Sequence, residues 1–230
     1  MLNLIALDGP SGVGKSTTAK RLAEALRWGH MDTGAMYRAV TLAFLRAGAA
    51  PGDRAKTAQI LSDFGYEQRG DSSFLNGEDV SGVIRGMDVT KNVSAVSADP
   101  AVREALVGIQ RAMGAAGQWV VDGRDIGTVV FPQAKCKIFL VATPEARAQR
   151  RMLELRAKGI DAVFDEVLAD QARRDHLDST RAVSPLRKAD DAVELDSSNL
   201  SIGDVVEKIV EIYSQLTSKS EQDESVDGVQ

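Results

Sequence analysis

The stretch Ala6–Lys20, ALDGPSGVGKSTTAK, packs three glycines and a lysine between an apolar run and a helix-forming one. Glycine loses more conformational freedom on folding than any other residue, so Gly9, Gly12 and Gly14 gathered beside Lys15 need a purpose. A loop that presents bare backbone N–H groups to an anion supplies one. Gly9-Pro10-Ser11-Gly12-Val13-Gly14-Lys15-Ser16 fits G-x-x-x-x-G-K-[ST], with the apolar run LNLIAL before it and an amphipathic helix, Lys15 to Arg27, after it. In that setting the N–H groups from Ser11 to Thr17 ring a β-phosphate at a helix N-terminus. Lys15 bridges β- and γ-oxygens, and the Ser16 hydroxyl ligates Mg²⁺. The alternative is a glycine-rich turn that binds nothing; the flanking strand and helix weigh against it. The anion is read as a nucleoside triphosphate.

Outward from this loop, strand-like and helical runs alternate, the pattern of a parallel sheet with crossover helices. WVVD (Trp119 to Asp122), CKIFLVA (Cys136 to Ala142) and AVEL (Ala192 to Leu195) read as further strands. Ala35 to Ala47 reads as a second helix. Thr143-Pro144-Glu145 opens another that runs to Lys158, and Ser201 with Asp204 opens the last. Turn signals at Gly70-Asp71 and Asn76-Gly77 mark Tyr66 to Val80 as a small antiparallel insert. The segment 147–187 is helical and dense in arginine, and the tail 217–230, poor in apolar residues, reads as disordered. These divisions give a core of residues 1–62, 93–146 and 188–216, an insert of 63–92, and a lid region of 147–187.

Composition narrows the partners. At 230 residues the chain is long enough for one large α/β domain. A net charge of −5 argues against non-specific nucleic-acid binding. The single cysteine, Cys136, cannot form an intrachain disulfide and reads as core, which fits a reducing compartment. No run approaches a membrane span and no basic segment leads into the first strand. The protein reads as soluble, cytoplasmic and, since nothing demands a dimer, monomeric.

What the triphosphate is for depends on the remaining charge. A base-reading N-K-x-D element is missing; Arg187-Lys188-Ala189-Asp190 lacks the asparagine. Arginines crowd near the expected loops, as transfer between two polyanions requires. Asp32-Thr-Gly-Ala-Met-Tyr-Arg38 stands where a second loop-to-helix junction faces the first. Asp122-Gly-Arg124-Asp125 emerges from a buried strand at the carboxyl edge of the sheet, where α/β folds bind ligands.

With the phosphate loop, these motifs resemble those of nucleoside monophosphate kinases, and most closely the bacterial cytidylate kinase family. GPSGVGKST, DTGAMYR, SGVIR, VREAL, DGRDIGTVVFPQA, KIFL, ARAQRRM and RRDHLDSTRAVSPLRKADDAVELDSS carry the resemblance, which spans most of Leu4 to about Tyr213. It implies a parallel sheet of about five strands with helices on both faces, a small antiparallel β insert and a helical lid. It implies ATP with Mg²⁺ as donor and CMP or dCMP as acceptor. By resemblance, Arg38, Arg124 and Arg181 grip the acceptor phosphate, and Arg174 and Asp178 hold its ribose. Ser94, Arg103 and Asp125 read the cytosine edge, and Thr33 and Tyr37 line the same pocket. Thr33 stands where a serine is common; the hydroxyl survives. Arg147 and Arg151, four apart on one helix face, lie over the ATP base and phosphates. Asp122 orients a metal-bound water. Lys15, Arg124 and Arg181 neutralise the transferring group.

The same residues have plainer readings. Arg147, Arg150, Arg151 and Arg156 with Glu145 and Glu154 also fit a solvated helix face, and Asp122 also fits a turn cap. His30 and His176 stand without partners at metal spacing and read as surface or satisfied core. Trp28 and Trp119 read as packing residues. Three other readings stay open at this point: a phosphate-loop kinase for another small molecule, a nucleotide-dependent switch or binding module, and, least favoured with Gly14, Lys15 and Ser16 intact, a structural role with a vestigial loop.

Overall fold

The computed structural model describes residues 2–157 and 159–226. The central sheet has five strands in the order β2-β6-β1-β7-β8, all parallel. These are β1 (Leu2–Asp8), β2 (Gly29–Asp32), β6 (Trp119–Asp122), β7 (Ala134–Val141) and β8 (Val193–Asp196). Strand β1 lies between β6 and β7, so Ile5, Ala6 and Leu7 are fully buried, as the apolar run LIAL (Leu4 to Leu7) dictates for a strand covered on both faces.

One core layer joins the sheet to α1 (Lys15–Leu26) and α8 (Ile202–Val226) through Leu22, Val205 and Ile209, with Cys136 buried among them. The opposite layer packs Met31, Val121 and Phe131, and further hydrophobic packing gathers around α2 (Thr33–Arg46), α4 (Met87–Ser97) and α5 (Pro100–Gly114). Trp28 packs edge-on against Tyr213, with ring centroids 5.2 Å apart.

The insert is a separate three-stranded antiparallel sheet, β3 (Tyr66–Arg69), β4 (Ser72–Leu75) and β5 (Glu78–Asp79), turning at the two positions the sequence marks. Asn76 and Gly77 both adopt positive φ in the β4–β5 turn. Before it runs α3 (Arg54–Ser62); after it come a short 3₁₀ turn (Val83–Arg85) and α4. Two lid helices follow β7: α6 (Pro144–Ala157) and α7 (Phe164–Thr180). The expected end of α6 at Lys158 lies outside the described residues.

Several boundaries differ from the sequence reading. Helix α2 starts at Thr33 rather than Ala35, because the Asp32 carboxylate accepts from the Ala35 N–H at 2.9 Å and caps it. Strand β2, only four residues long, is too short to stand out in the sequence; it forms by pairing with β6 along its whole length. Helix α8 starts as expected, with the Ser201 and Asp204 side chains each accepting from the other's N–H. It then continues to Val226, through part of the stretch that composition reads as disordered. Residues 217–226 hold no glycine or proline, so nothing in them interrupts a helix already begun. Residues 227–230 of that tail lie outside the described ones.

Parallel register then aligns the strand ends. Leu7 and Asp32 both pair with Asp122, and Asp8 pairs with Phe139. Three carboxylates, Asp8, Asp32 and Asp122, therefore emerge together at the carboxyl edge, beside the glycine-rich loop.

Candidate active site

The loop from Gly9 to Gly14 leads straight into α1, whose N-terminus no side chain caps. Gly9 has φ +148°, and a Cβ there would sit 2.2 Å from the Leu140 carbonyl oxygen, so the loop can leave β1 only as glycine. Gly12, at φ +81°, lies under the lid: a Cβ would meet Gln171 Nε2 at 2.6 Å. Pro10, Ser11 and Val13 complete the turn, Thr17 stands in the first turn of α1, and Val13 is buried in the core. Lys15 is buried too, its Nζ donating to the Pro10 carbonyl at 2.7 Å. Burial, with Arg124 nearby, holds the Lys15 ammonium well below the usual lysine range, although Asp122, Asp8 and Asp178 pull the other way.

At the end of β6, Asp122 receives two partners from different elements. Ser16 Oγ donates to its Oδ2 at 2.7 Å, and His30 Nε2 lies 2.8 Å from its Oδ1. Its backbone carbonyl accepts from Thr33 Oγ1 at 2.7 Å. Burial pushes the His30 pKa down, but the hydrogen bond and charge of Asp122, with Asp32 and Asp71, outweigh it and leave His30 raised.

Past Gly123, Arg124 and Asp125 take different partners. Arg124 Nε donates to Asp178 Oδ2 on α7 at 2.9 Å. Asp125 is buried between two guanidinium groups, Arg103 in direct contact and Arg181 at 3.3 Å. Arg103 is only 2% exposed and lies over the Tyr37 ring, 5.3 Å from its centroid, while Ser94 is buried on α4. Arg38 donates to the Ile84 carbonyl at 3.1 Å and to Thr90 Oγ1 at 2.9 Å.

The cations outnumber their partners. Burial lowers the pKa of Arg38 to about 10, with Arg174 the next contribution; it also lowers Arg174, aided by Arg124, and Arg181, aided by Arg103. Arg151 pairs with Glu154 at 2.9 Å, yet its charge reaches both Arg38 and Arg174. Arg174 Nε is buried without a hydrogen-bond partner. Five buried or half-buried cations, Lys15, Arg38, Arg124, Arg174 and Arg181, thus crowd one edge of the sheet with Asp122, Asp125 and Asp178 among them. Such a cluster is built for polyanions.

The family model for cytidylate kinase matches residues 5–215. The chain belongs to this family. It is 52% identical over 219 residues to a cytidylate kinase of Rhodococcus jostii (strain RHA1), covering 93% of this chain and 96% of that protein. It is 47% identical over 216 residues to one of Syntrophotalea carbinolica (strain DSM 2380 / NBRC 103641 / GraBd1), covering 92% of each. Among solved structures, a gluconokinase from Sinorhizobium meliloti 1021 superposes with TM-score 0.52 at 14% identity, covering 96% of this chain and 97% of that one. That likeness shows the phosphate-loop kinase fold alone.

For a cytidylate kinase the site also holds residues that motif reading passed over. His30, read as surface or satisfied core, is a partner of Asp122. Asp175 on α7 accepts from the Ser11 N–H at 3.2 Å and contacts Arg147, whose guanidinium also donates to the Ser11 carbonyl at 3.0 Å. Arg150 donates to the Val13 carbonyl at 3.3 Å and to the Ser197 carbonyl, so the lid helices rest directly on the phosphate loop. Gln171, Arg174, Asp175 and Asp178 recur at three- and four-residue spacing, a polar stripe on α7 that marks one working face. Asp8 is a charged residue ending an apolar strand, the signal that could have singled it out.

Proposed function

We propose that the chain transfers the γ-phosphoryl of ATP to the phosphate of CMP or dCMP, giving ADP and CDP or dCDP, with the residues at the carboxyl edge in the following roles. The observation that carries this reading is the gathering of Lys15, Arg38, Arg124, Arg174 and Arg181, all buried or half-buried, at the carboxyl edge beside the phosphate loop, where burial lowers the pKa of Lys15, Arg38, Arg174 and Arg181. Lys15 and the N–H groups of Ser11 to Thr17 hold the donor phosphates. Arg38, Arg124 and Arg181 hold the acceptor phosphate, and Arg174 with Asp178 holds its ribose. Arg147 and Arg151 cover the donor from the lid.

Transfer needs no protein nucleophile, because the attacking atom is an acceptor phosphate oxygen. It attacks the γ-phosphorus in line, the bond to the β,γ-bridging oxygen breaks, and ADP leaves with that electron pair. Lys15, Arg124 and Arg181 stabilise the charge spread over the transferring group. The segment 147–187 acts as a lid that excludes water, and the segment 63–92 as the acceptor-side insert.

The donor set at Ser16 fits Mg²⁺. Among the described residues no group of three His, Cys, Asp or Glu could hold a metal alone. A hydroxyl 2.7 Å from one carboxylate instead suits an ion that keeps most of its waters and binds through substrate phosphates. Ser16 would ligate it and Asp122 would hold one of its waters; when bound, the ion neutralises charge on the β- and γ-phosphates.

Base choice falls to Ser94, Arg103 and Asp125, with Thr33 and Tyr37 lining the pocket. Cytosine offers an amino donor and a ring acceptor where uracil offers the reverse. Asp125 accepts from the amino group and Arg103 donates to the ring acceptors. We read the protein as a cytoplasmic monomer that binds neither nucleic acid nor membrane; among the described residues no helix is long and apolar enough to cross one. A panel of nucleoside monophosphates with Mg-ATP tests the whole reading. CMP and dCMP should give the highest kcat/KM; equal use of AMP or GMP would overturn it.

A further inference from the structure

Asp125 occupies the N-cap position of a π-helical turn, Ile126–Val130, yet its side chain caps nothing. An aspartate there ordinarily accepts from the N–H of the second or third helical residue, here Gly127 or Thr128. Here the carboxylate faces away, toward Arg103 and Arg181. The orphan donors are satisfied from another strand: the Ile126 N–H donates to Asp8 Oδ1 at 2.9 Å, and the Gly127 N–H to Asp8 Oδ2 at 2.7 Å. Asp8, Ile126 and Gly127 are all buried, so neither N–H has water to fall back on.

We propose that Asp8 is a positioning residue for base selection: it supplies from β1 the cap that Asp125 would otherwise have to supply, and so leaves the Asp125 carboxylate free to face the acceptor base. This rests on the reading of Asp125 as the base reader. Both Asp8 oxygens are needed, one for each N–H. Asparagine, of the same size, keeps one acceptor and turns an NH₂ toward the other donor. The unpaired N–H then draws Asp125 back to cap its own turn, away from Arg103.

The same change is available to the native side chain. Burial pushes the Asp8 carboxyl up to about 6, against the two N–H groups that lower it; Asp125 raises it further and Lys15 lowers it. The remaining charged neighbour is Lys137 of β7, whose side chain packs on Gly127 and is itself bonded to the Pro132 carbonyl and Asp191. Protonation converts one Asp8 acceptor into a donor facing an N–H, as asparagine does permanently.

The test is the ratio of kcat/KM for CMP to that for UMP, measured on the parent, Asp8→Asn and Asp125→Ala, with KM for ATP alongside. Asp8→Asn should narrow the ratio by about tenfold, the size of one unpaired buried polar group, while KM for ATP stays within about twofold. A merely structural role would lower both substrates' efficiencies together and leave the ratio alone. If Asp125→Ala narrows the ratio and Asp8→Asn keeps the parent value, Asp8 is not the positioning residue and the base-reading assignment stands. An unchanged ratio in Asp125→Ala would overturn both. Should Asp8→Asn fail to fold, the parent decides: between about pH 7.5 and about pH 5.5 its ratio should narrow as Asp8 takes up a proton, and a flat ratio refutes the proposal. Phosphate ionisation and donor-site titrations act on both acceptors and cancel.

Discussion

The Ser16 hydroxyl donates to Asp122 Oδ2 at 2.7 Å, joining the phosphate loop to the end of β6 across 106 positions of sequence. Neither residue could be aimed by its own element alone. Ser16 is fixed by the first turn of α1, Asp122 by the register of β6 between β1 and β2, and His30 holds the other carboxylate oxygen.

Asp122→Ala should therefore weaken metal use more than nucleotide binding. The Mg²⁺ concentration for half-maximal activity should rise about tenfold or more, as expected when an outer partner of a metal site is lost. A titration of activity with Mg²⁺ at saturating nucleotides checks this; an unchanged midpoint would leave the Asp122 carboxylate a structural partner of Ser16 and His30.

Lys15→Ala should abolish turnover, by roughly a hundredfold or more in kcat, without unfolding the protein. Its lowered pKa means that burial outweighs the attraction of Asp122, Asp8 and Asp178, so removing the charge costs the fold little on balance. A thermal melt should show a Tm equal to the parent's or higher. A folded variant with normal turnover would remove the donor assignment.

Asp178 serves two partners in the proposed mechanism, the ribose and Arg124, and the second is visible at 2.9 Å. Asp178→Ala should raise KM for CMP about tenfold and also lower kcat, because Arg124 loses the group that orients it. KM for ATP should move little. Steady-state kinetics with each substrate varied in turn separates this from a general loss of structure, in which both KM values rise together.

His30 should give stability a definite pH sign. Its folded pKa is raised above the ordinary histidine value, so its contribution is complete below about 6.5 and fades as pH rises through the folded value. The Tm difference between the parent and His30→Phe should be largest in mild acid and shrink toward alkaline pH. Asp8 acts in the same direction over a lower range: its raised carboxyl pKa makes the fold lose stability as pH climbs from about 4 to about 6. Melts from about pH 4 to about pH 9 for the parent, His30→Phe and Asp8→Asn resolve the two, and a His30 difference that stays constant above about pH 6.5 would contradict the ion pairing with Asp122.

Much of this was legible in the sequence because it is local. The phosphate loop is eight consecutive residues whose function lies in their own backbone N–H groups, and the apolar runs of β1, β6 and β7 and the turns of the insert are equally contiguous. Asp122-Gly-Arg124-Asp125 could be placed at the carboxyl edge because a strand must end somewhere and ligands gather there. Strand β2, with only four residues, carries too little pattern of its own.

What the sequence by itself determined is the alternating α/β plan, the phosphate loop with Lys15 and Ser16, and an excess of arginine near the loops. Those follow from side-chain type and spacing along one chain. Tertiary structure alone decided which arginines stay unpaired, that His30 meets Asp122, that Asp175 and Arg150 hold the loop from the lid, and that Asp8 frees Asp125. Each of these depends on hydrogen bonds between segments tens of residues apart. Their partners are fixed by strand order and register, and by which carboxylates burial leaves within reach of which donors.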